Sequence, residues 1–176
     1  MDVPEPWPGH KSPTLHCNSG QFLSFRWAGH GNGSVRQTGR MPQHDESFPE
    51  IGAGDRCPCG TGLAFGECCA RFLSGELQAP TAQRLMRSRY TAFVVGDVPY
   101  LLATWHPSTR PAALELDPGI SWRSLEIVRS ERGGPLDREG VVEFSARYRA
   151  DGERGVQREV SRFVRDDRWR YVEAIG

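Results

Sequence analysis

Residues 57–69, CPCGTGLAFGECC, place four of the chain's five cysteines within thirteen residues, with the spacing C-x-C-x8-C-C. A structural zinc ion takes four ligands in a tetrahedron, with zinc–sulfur bonds of about 2.3 Å, and leaves no position for water. The first cysteine pair lies in a turn rich in proline and glycine, and the second pair opens a predicted short helix. The spacing predicts one structural zinc ion, held by Cys57, Cys59, Cys68 and Cys69.

Disulfide bonds are the main alternative for these cysteines. A bond within either pair would close a small, strained ring, whereas bonds between the two pairs stay open as an interpretation. The sequence shows no signal peptide and no run of about 20 apolar residues, so we expect a reducing cytoplasm and no membrane contact. Reducing conditions favour the metal. Arg56 and Arg71 flank the motif and are expected to offset the negative charge of four thiolates around a divalent ion.

Composition limits the other functions of the chain. Its 176 residues, 38% of them hydrophobic, suffice for one domain and a small appendage. The 22 basic and 22 acidic residues give no net charge that would attract nucleic acid or an anionic membrane. Residues 121–176 hold 12 arginines, but these alternate with 11 acidic residues. Nucleic-acid binding is therefore not favoured, although it stays an open alternative.

Residues 1–50 differ from the rest of the chain. They are rich in Pro, Gly, Ser and His and show no sustained helical or strand period. This composition predicts a disordered N-terminal extension, and Met41 is an alternative to Met1 as the start of translation. We expect the zinc-binding motif at residues 51–80 and a second domain at residues 81–176.

Residues 81–176 read as two helices followed by four strands. Thr81 is a good N-cap for a helix that ends at Gly96, and Asp97 begins a second helix that continues until Pro107. Strands are predicted near 121–129, 139–149, 155–165 and 168–174, with a two-residue hairpin turn at Asp151-Gly152. Two helices packed on a curved antiparallel sheet form an α+β cone with room for a cavity.

The zinc-binding segment matches the SEC-C motif, best known at the C-terminus of the SecA translocation ATPase. Residues 80–111, PTAQRLMRSRYTAFVVGDVPYLLATWHPSTRP, closely resemble the YchJ family of small bacterial proteins, as do residues 143–149, 159–174 and Trp122. The resemblance implies a SEC-C zinc knuckle (the knuckle, residues 51–80) followed by a domain similar to nuclear transport factor 2 (the cone, residues 81–176). The family has no established biochemical activity, so the resemblance implies a fold and no reaction.

Polar and aromatic residues of the cone are the candidates for a ligand pocket. In one interpretation Arg89 or Arg147 binds a carboxylate or phosphate, and His106 or Glu159 transfers a proton. In the other, these charges form cross-strand ion pairs on a half-exposed sheet. No nucleophile–base pair or phosphate-binding loop accompanies them, so the assignment as an enzyme is uncertain and a non-enzymatic protein is favoured. The candidate pocket residues are Arg89, Tyr90, Trp105, His106, Arg147, Glu159 and Arg162.

The resemblance also implies a kind of partner. The SecA knuckle contacts a chaperone and the ribosome, so we expect a binding or adaptor module that contacts protein or ribosome through its own knuckle. The cone is the expected surface for a homodimer. A small-ligand or enzymatic pocket that uses Arg89, His106, Arg147 and Glu159 is the main alternative function, and nucleic-acid binding is a second one.

Overall fold

The structure, a computed structural model, describes residues 47–176. The predicted disorder of residues 1–46 therefore lies outside the described residues. Of residues 47–50, which belong to the same predicted extension, Phe48 lies against the cone. The Phe48 ring covers Gly96, and a methyl group at that glycine would collide with the ring.

Three helices precede the sheet: α1 (Ala70–Leu73), α2 (Ala82–Val95) and α3 (Val98–Ala103). The predicted start and end of α2 are confirmed. The Thr81 side chain accepts a hydrogen bond from the Arg84 amide at 3.1 Å. Gly96 ends the helix in the left-handed conformation, with φ 72°, and its amide donates to the Ala92 carbonyl.

The predicted helix from Asp97 to Pro107 is too long. It begins as expected, since the Asp97 carboxylate accepts a hydrogen bond from the Tyr100 amide at 2.9 Å, but it ends at Ala103. The next residues pair with the last strand instead: the Tyr171 amide donates to the Thr104 carbonyl at 2.9 Å, and the His106 amide donates to the Tyr171 carbonyl at 2.7 Å. Tertiary pairing thus replaces the last turn of the predicted helix.

The four predicted strands are confirmed as β1 (Ser121–Arg132), β2 (Glu139–Ala150), β3 (Glu153–Arg165) and β4 (Trp169–Ala174). They form one antiparallel sheet in the order β1-β2-β3-β4, so each strand pairs with the next along the chain. The Asp151-Gly152 turn joins β2 to β3, and both residues have positive φ angles, 52° and 80°. Two positive φ angles are typical of a type I′ hairpin.

Irregularities in the pairing bend the sheet. Register shifts fall between Trp122 and Ser124, between Ile127 and Arg129, and between Arg162 and Phe163. An extra residue in one strand increases its local twist and bends it. The inner face of the sheet packs on α2. No local sequence signal distinguishes these positions.

The apolar residues form two separate clusters. The larger lies between α2 and the inner face of the sheet and contains Leu85, Met86, Tyr90, Trp105, Leu125, Val142, Phe144, Phe163, Trp169 and Tyr171. The smaller consists of the four cysteines, with Phe65 and Leu73 packed against them. Within residues 47–176, no helix is both long and apolar enough to cross a membrane.

Candidate functional site

Backbone hydrogen bonds shape the loop that carries the first cysteine pair. The Cys57 amide donates to the Leu63 carbonyl at 2.9 Å, and the Phe65 amide donates to the Asp55 carbonyl at 2.7 Å. Between these bonds the chain reverses through Gly60 and Gly62, with φ angles of 78° and 86°. Only glycine adopts such angles without steric cost. The loop therefore returns both cysteines of the first pair toward the second pair.

The second pair begins a helix, as predicted, but a shorter one. Cys69 is the N-cap of α1, and the helix makes a single turn of four residues. Phe72 on this turn is buried, and the Arg84 guanidinium of α2 lies 5.8 Å from its ring centre. The turn is thus held against α2 by an apolar side chain and a cation–π contact.

The four sulfur atoms converge on one point. They all lie within 4.8 Å of one another, and all four cysteines are buried. The Cys59–Cys68 and Cys68–Cys69 sulfur distances are 3.5 and 3.9 Å. A tetrahedral ion with sulfur bonds of about 2.3 Å separates its ligands by about 3.8 Å. All four cysteines are free thiols, and their spacing fits a metal ion rather than disulfide bonds of about 2.05 Å.

The electrostatics of the cluster also fit a cation. Hydrogen bonding to Cys59, and then to Cys69, lowers the pKa of Cys57 to about 3. Hydrogen bonding to Cys57 and Cys59, together with burial, raises the pKa of Cys69. The loss of one thiol proton from the cluster is therefore favourable. The negative charge that results opposes the loss of further protons. A divalent ion removes that opposition, because a coordinating thiol is deprotonated outright.

Three residues outside the predicted ligand set contact the cluster. The Thr61 hydroxyl lies 3.3 Å from the Cys59 sulfur and 3.2 Å from the Cys68 sulfur. From α2, Arg87 donates to the Cys59 carbonyl at 2.5 Å, and the Thr91 hydroxyl lies 3.9 Å from the Cys57 sulfur. Thr61 lies between the cysteine pairs and could have been suspected. The two α2 residues are 28 and 34 positions away along the chain and give no local signal.

The two arginines that flank the motif lie at the surface. Arg71 turns outward and pairs with Glu76 at 2.8 Å on the surface. Arg56 is exposed. The arginine that hydrogen-bonds the metal-binding loop is Arg87, which reaches it from the helix behind. The ion-pair partner of Arg71 is thus Glu76 rather than a group of the cysteine cluster.

A second candidate site is a cavity of about 130 Å³ inside the cone, between α2 and the inner face of the sheet. Leu114, from the loop between α3 and β1, also lines it. Half of the residues that line it are aromatic, namely Tyr90, Phe93, Trp105, Trp122, Phe144 and Tyr171.

Glu159 carries the negative charge of the cavity. Its carboxylate accepts hydrogen bonds from the Ser161 hydroxyl at 2.6 Å, the Tyr171 hydroxyl at 3.2 Å and the Gln157 amide nitrogen at 3.2 Å. Three donors hold the carboxylate in one orientation. Gln157 also lines the cavity, so this wall is polar.

Arg89 carries the positive charge. It is 3% exposed, and its Nη1 atom donates to the Leu101 carbonyl at 2.7 Å and the Thr104 hydroxyl at 2.8 Å. Its guanidinium carbon lies 5.1 Å from the Trp105 ring centre and 4.6 Å from that of Tyr171. Burial lowers the pKa of Arg89 to about 10, so the side chain keeps its charge at neutral pH.

Four of the seven residues proposed for the pocket line the cavity, namely Arg89, Tyr90, Trp105 and Glu159. His106 does not. It lies in the turn after α3, where its Nδ1 atom contacts the Ser108 hydroxyl at 2.6 Å and its Nε2 atom lies 3.9 Å from Asp166.

The structure also separates Arg147 and Arg162 from the cavity. Phe144 and Ala146 line it from β2, so the alternation of the strand turns Arg147 to the outer, exposed face. Arg162 pairs with Glu173 at 2.8 Å, across β3 and β4. Arg162 and Glu173 therefore form a cross-strand ion pair, as the simpler of the two interpretations predicts.

The fold and the cysteine cluster define a class of protein: a nuclear-transport-factor-2-like cone that carries a small four-cysteine knuckle. Residues 81–174 match the family model described as "YchJ, middle NTF2-like domain", and residues 55–71 match the SEC-C motif. The chain belongs to the YchJ family, whose members are also called UPF0225 proteins. The family and fold expected from the sequence are confirmed.

Relatives and solved structures agree with this assignment. A UPF0225 protein of Corynebacterium glutamicum is 57% identical over 110 residues, which cover 62% of this chain and 87% of the relative. One of Streptomyces coelicolor is 51% identical over 118 residues, covering 66% and 92%. The solution structure of a SEC-C motif containing protein from Rhodopseudomonas palustris is 29% identical, with a TM-score of 0.60, and the match covers 68% of this chain and 97% of that one.

Proposed function

We propose that this protein is a non-enzymatic binding module whose zinc-loaded knuckle contacts a protein partner on the ribosome. The observation that carries the proposal is a knuckle whose four sulfurs are buried within 4.8 Å of one another while its outer loop stays exposed. Zinc suits a tetrahedral set of four thiolates. Four protein ligands leave no open position, so the ion would stabilise the loop rather than act on a substrate.

The tip of the loop offers an apolar contact. Leu63 is 46% exposed, although its carbonyl is bound by the amide of the metal-binding residue Cys57. An apolar side chain on a loop fixed in this way loses little entropy when it binds. Phe65 is half-buried and Phe72 is buried, so neither presents the surface that Leu63 does.

The charge of the knuckle favours protein over nucleic acid as the partner. Residues 51–80 contain three acidic and two basic side chains, which leaves one negative charge. Four thiolates around a divalent ion add two more, for a formal charge of about −3. Such a surface repels phosphates and attracts basic proteins, which are abundant on ribosomes.

Co-sedimentation with purified bacterial ribosomes tests the proposal. We expect the zinc-loaded chain to sediment with ribosomes, and Leu63→Asp to reduce the bound fraction at least about tenfold, because it places a charge in an apolar contact. Leu136→Asp is the matched control, since Leu136 is 94% exposed on the turn between β1 and β2 of the cone. A wild-type chain that stays in the supernatant, or equal loss for both variants, would contradict the proposal.

A second arm tests the metal. Removal of zinc should abolish sedimentation, and its return should restore it, because the loop that presents Leu63 is held by the cysteines. Binding that is unchanged by chelation would show that the partner contacts another surface.

A further inference from the structure

The cavity of the cone combines aromatic walls with a buried cation, and the knuckle proposal makes no use of either. We propose that this cavity binds a small aromatic monocarboxylate, whose carboxylate group pairs with Arg89. The proposal concerns a different site from the knuckle and stands independently of any ribosomal partner.

The Arg89 guanidinium has more N–H donors than the described residues accept. A guanidinium group carries five N–H donors. The two hydrogen bonds that described residues accept from Arg89 both come from Nη1, and none of the ion pairs within residues 47–176 involves this side chain. Its Nε and Nη2 atoms therefore remain for a ligand, and the residue lines the cavity.

The surroundings of Arg89 favour a carboxylate as its partner. Within residues 47–176 no carboxylate lies within ion-pair distance of Arg89, so a bound carboxylate would give the buried guanidinium a direct ionic partner. The Trp105 and Tyr171 rings pack against the guanidinium and fix its plane. The edge of a guanidinium group fixed in this way can donate two parallel hydrogen bonds to the two oxygens of a carboxylate.

The walls and the volume favour an aromatic ring. Half of the lining residues are aromatic, and rings prefer offset or edge-to-face contacts with other rings. A cavity of about 130 Å³ is close in size to the engineered cavity of about 150 Å³ that accepts benzene. The ligand is therefore about the size of benzoate.

Glu159 limits the charge of the ligand. It shares the cavity with Arg89, so the two side chains together are neutral. A phosphate, with up to two negative charges, would be repelled by Glu159 and poorly solvated by the aromatic walls. A single carboxylate at the Arg89 end avoids most of that repulsion.

Benzoate is the direct probe, with benzyl alcohol as a neutral analogue of similar size and benzylamine as a cationic one. Titration into the full chain can be followed by tryptophan fluorescence, because Trp105 and Trp122 line the cavity. We expect saturable binding of benzoate, at least about tenfold tighter than that of either analogue, because only benzoate offers the arginine a negative charge and two acceptor oxygens. No saturable binding of benzoate, or tighter binding of benzylamine, would overturn the proposal.

Variants test the residues. Arg89→Met should weaken benzoate binding at least about tenfold, and Arg147→Met, on the outer face of β2, should leave it unchanged. Two variants keep Arg89 and so test the site even if the loss of a buried arginine unfolds the cone. Glu159→Gln should tighten benzoate binding severalfold by removing a like charge, and Ala146→Leu should abolish it by filling the cavity. Weaker binding in Glu159→Gln, or unchanged binding in Ala146→Leu, would overturn the proposal.

Discussion

The knuckle and the cone are stabilised by different forces. The core of the cone contains ten large side chains between α2 and the sheet, whereas the cysteine cluster has only Phe65 and Leu73 packed against it. Each large side chain that becomes fully buried contributes about 1.5–3 kcal/mol, so the cone can fold on apolar burial alone. The knuckle has too small a core for this, so we expect its order to depend on a bound metal ion. The two regions of the chain are therefore expected to differ in what stabilises them.

The seam between the two regions is narrow and mostly polar. Arg87 and Thr91 of α2 reach the cysteine loop, and Arg84 covers Phe72. At Gly60, a side chain would approach the Leu125 carbonyl of β1 to 3.3 Å. These few contacts orient the knuckle on the cone. Phe72 is the one large apolar side chain among these contacts, compared with ten in the core of the cone, so we expect the two regions to unfold separately.

The largest expected effect is the loss of one cysteine ligand. Cys59→Ser should reduce the zinc content from about one ion per chain to nearly none, because structural zinc binding supplies about 10–16 kcal/mol in isolated fingers and needs its full ligand set. Elemental analysis of the purified protein measures the zinc content. Cys17→Ser, which changes the one cysteine outside the motif, is the control and should retain zinc. Full zinc content in Cys59→Ser would show that the assigned ligand set is wrong.

Chelation should distinguish the two regions directly. With zinc removed, amides of residues 55–73 should lose their protection from hydrogen exchange, while those of β2 and β3 keep theirs because the core is intact. Hydrogen exchange read by mass spectrometry resolves both segments. Loss of protection across the whole sheet would show a single cooperative unit and refute the separation.

A smaller effect is expected at the seam. Arg87→Met removes the hydrogen bond to the Cys59 carbonyl and should destabilise the knuckle by about 1–3 kcal/mol. Zinc affinity, measured by competition with a chelator, should fall accordingly, while the unfolding midpoint of the cone moves little. Arg158→Met, at an exposed position of β3, serves as the control. Equal zinc affinities for the two variants would show that Arg87 does not stabilise the knuckle.

The smallest effect is expected for the N-terminal residues. A chain that begins at Met41 should keep the stability of the full chain within about 0.5 kcal/mol, because residues 1–40 contain no periodic apolar face. Phe48→Ala in that shorter chain should cost more, about 1 kcal/mol, because its ring covers Gly96. Thermal unfolding compares the three proteins. A shortened chain that melts several degrees lower would show that the removed residues pack on the cone.

Much of this protein follows from local sequence. The cysteine spacing indicated the metal-binding cluster, Thr81 and Gly96 bounded α2, and Asp151-Gly152 marked the hairpin. Each of these features depends on the chemistry of a few neighbouring residues: thiol ligands, a side-chain cap, or backbone angles that glycine favours. Such signals lie within a short window and can be read without the fold.

The tertiary structure alone decided which distant residues meet. Pairing with β4 ended α3 before Trp105, and the packing of β3 in the sheet placed Glu159 inside the cone. Arg87 and Thr91 contact the knuckle although about thirty residues separate them from it in the chain. Arg71 pairs with the exposed carboxylate of Glu76. These outcomes depend on register and on competition between partners that are far apart in sequence. A local pattern carries no information about either, because a shift of one residue in register exchanges the two faces of a strand.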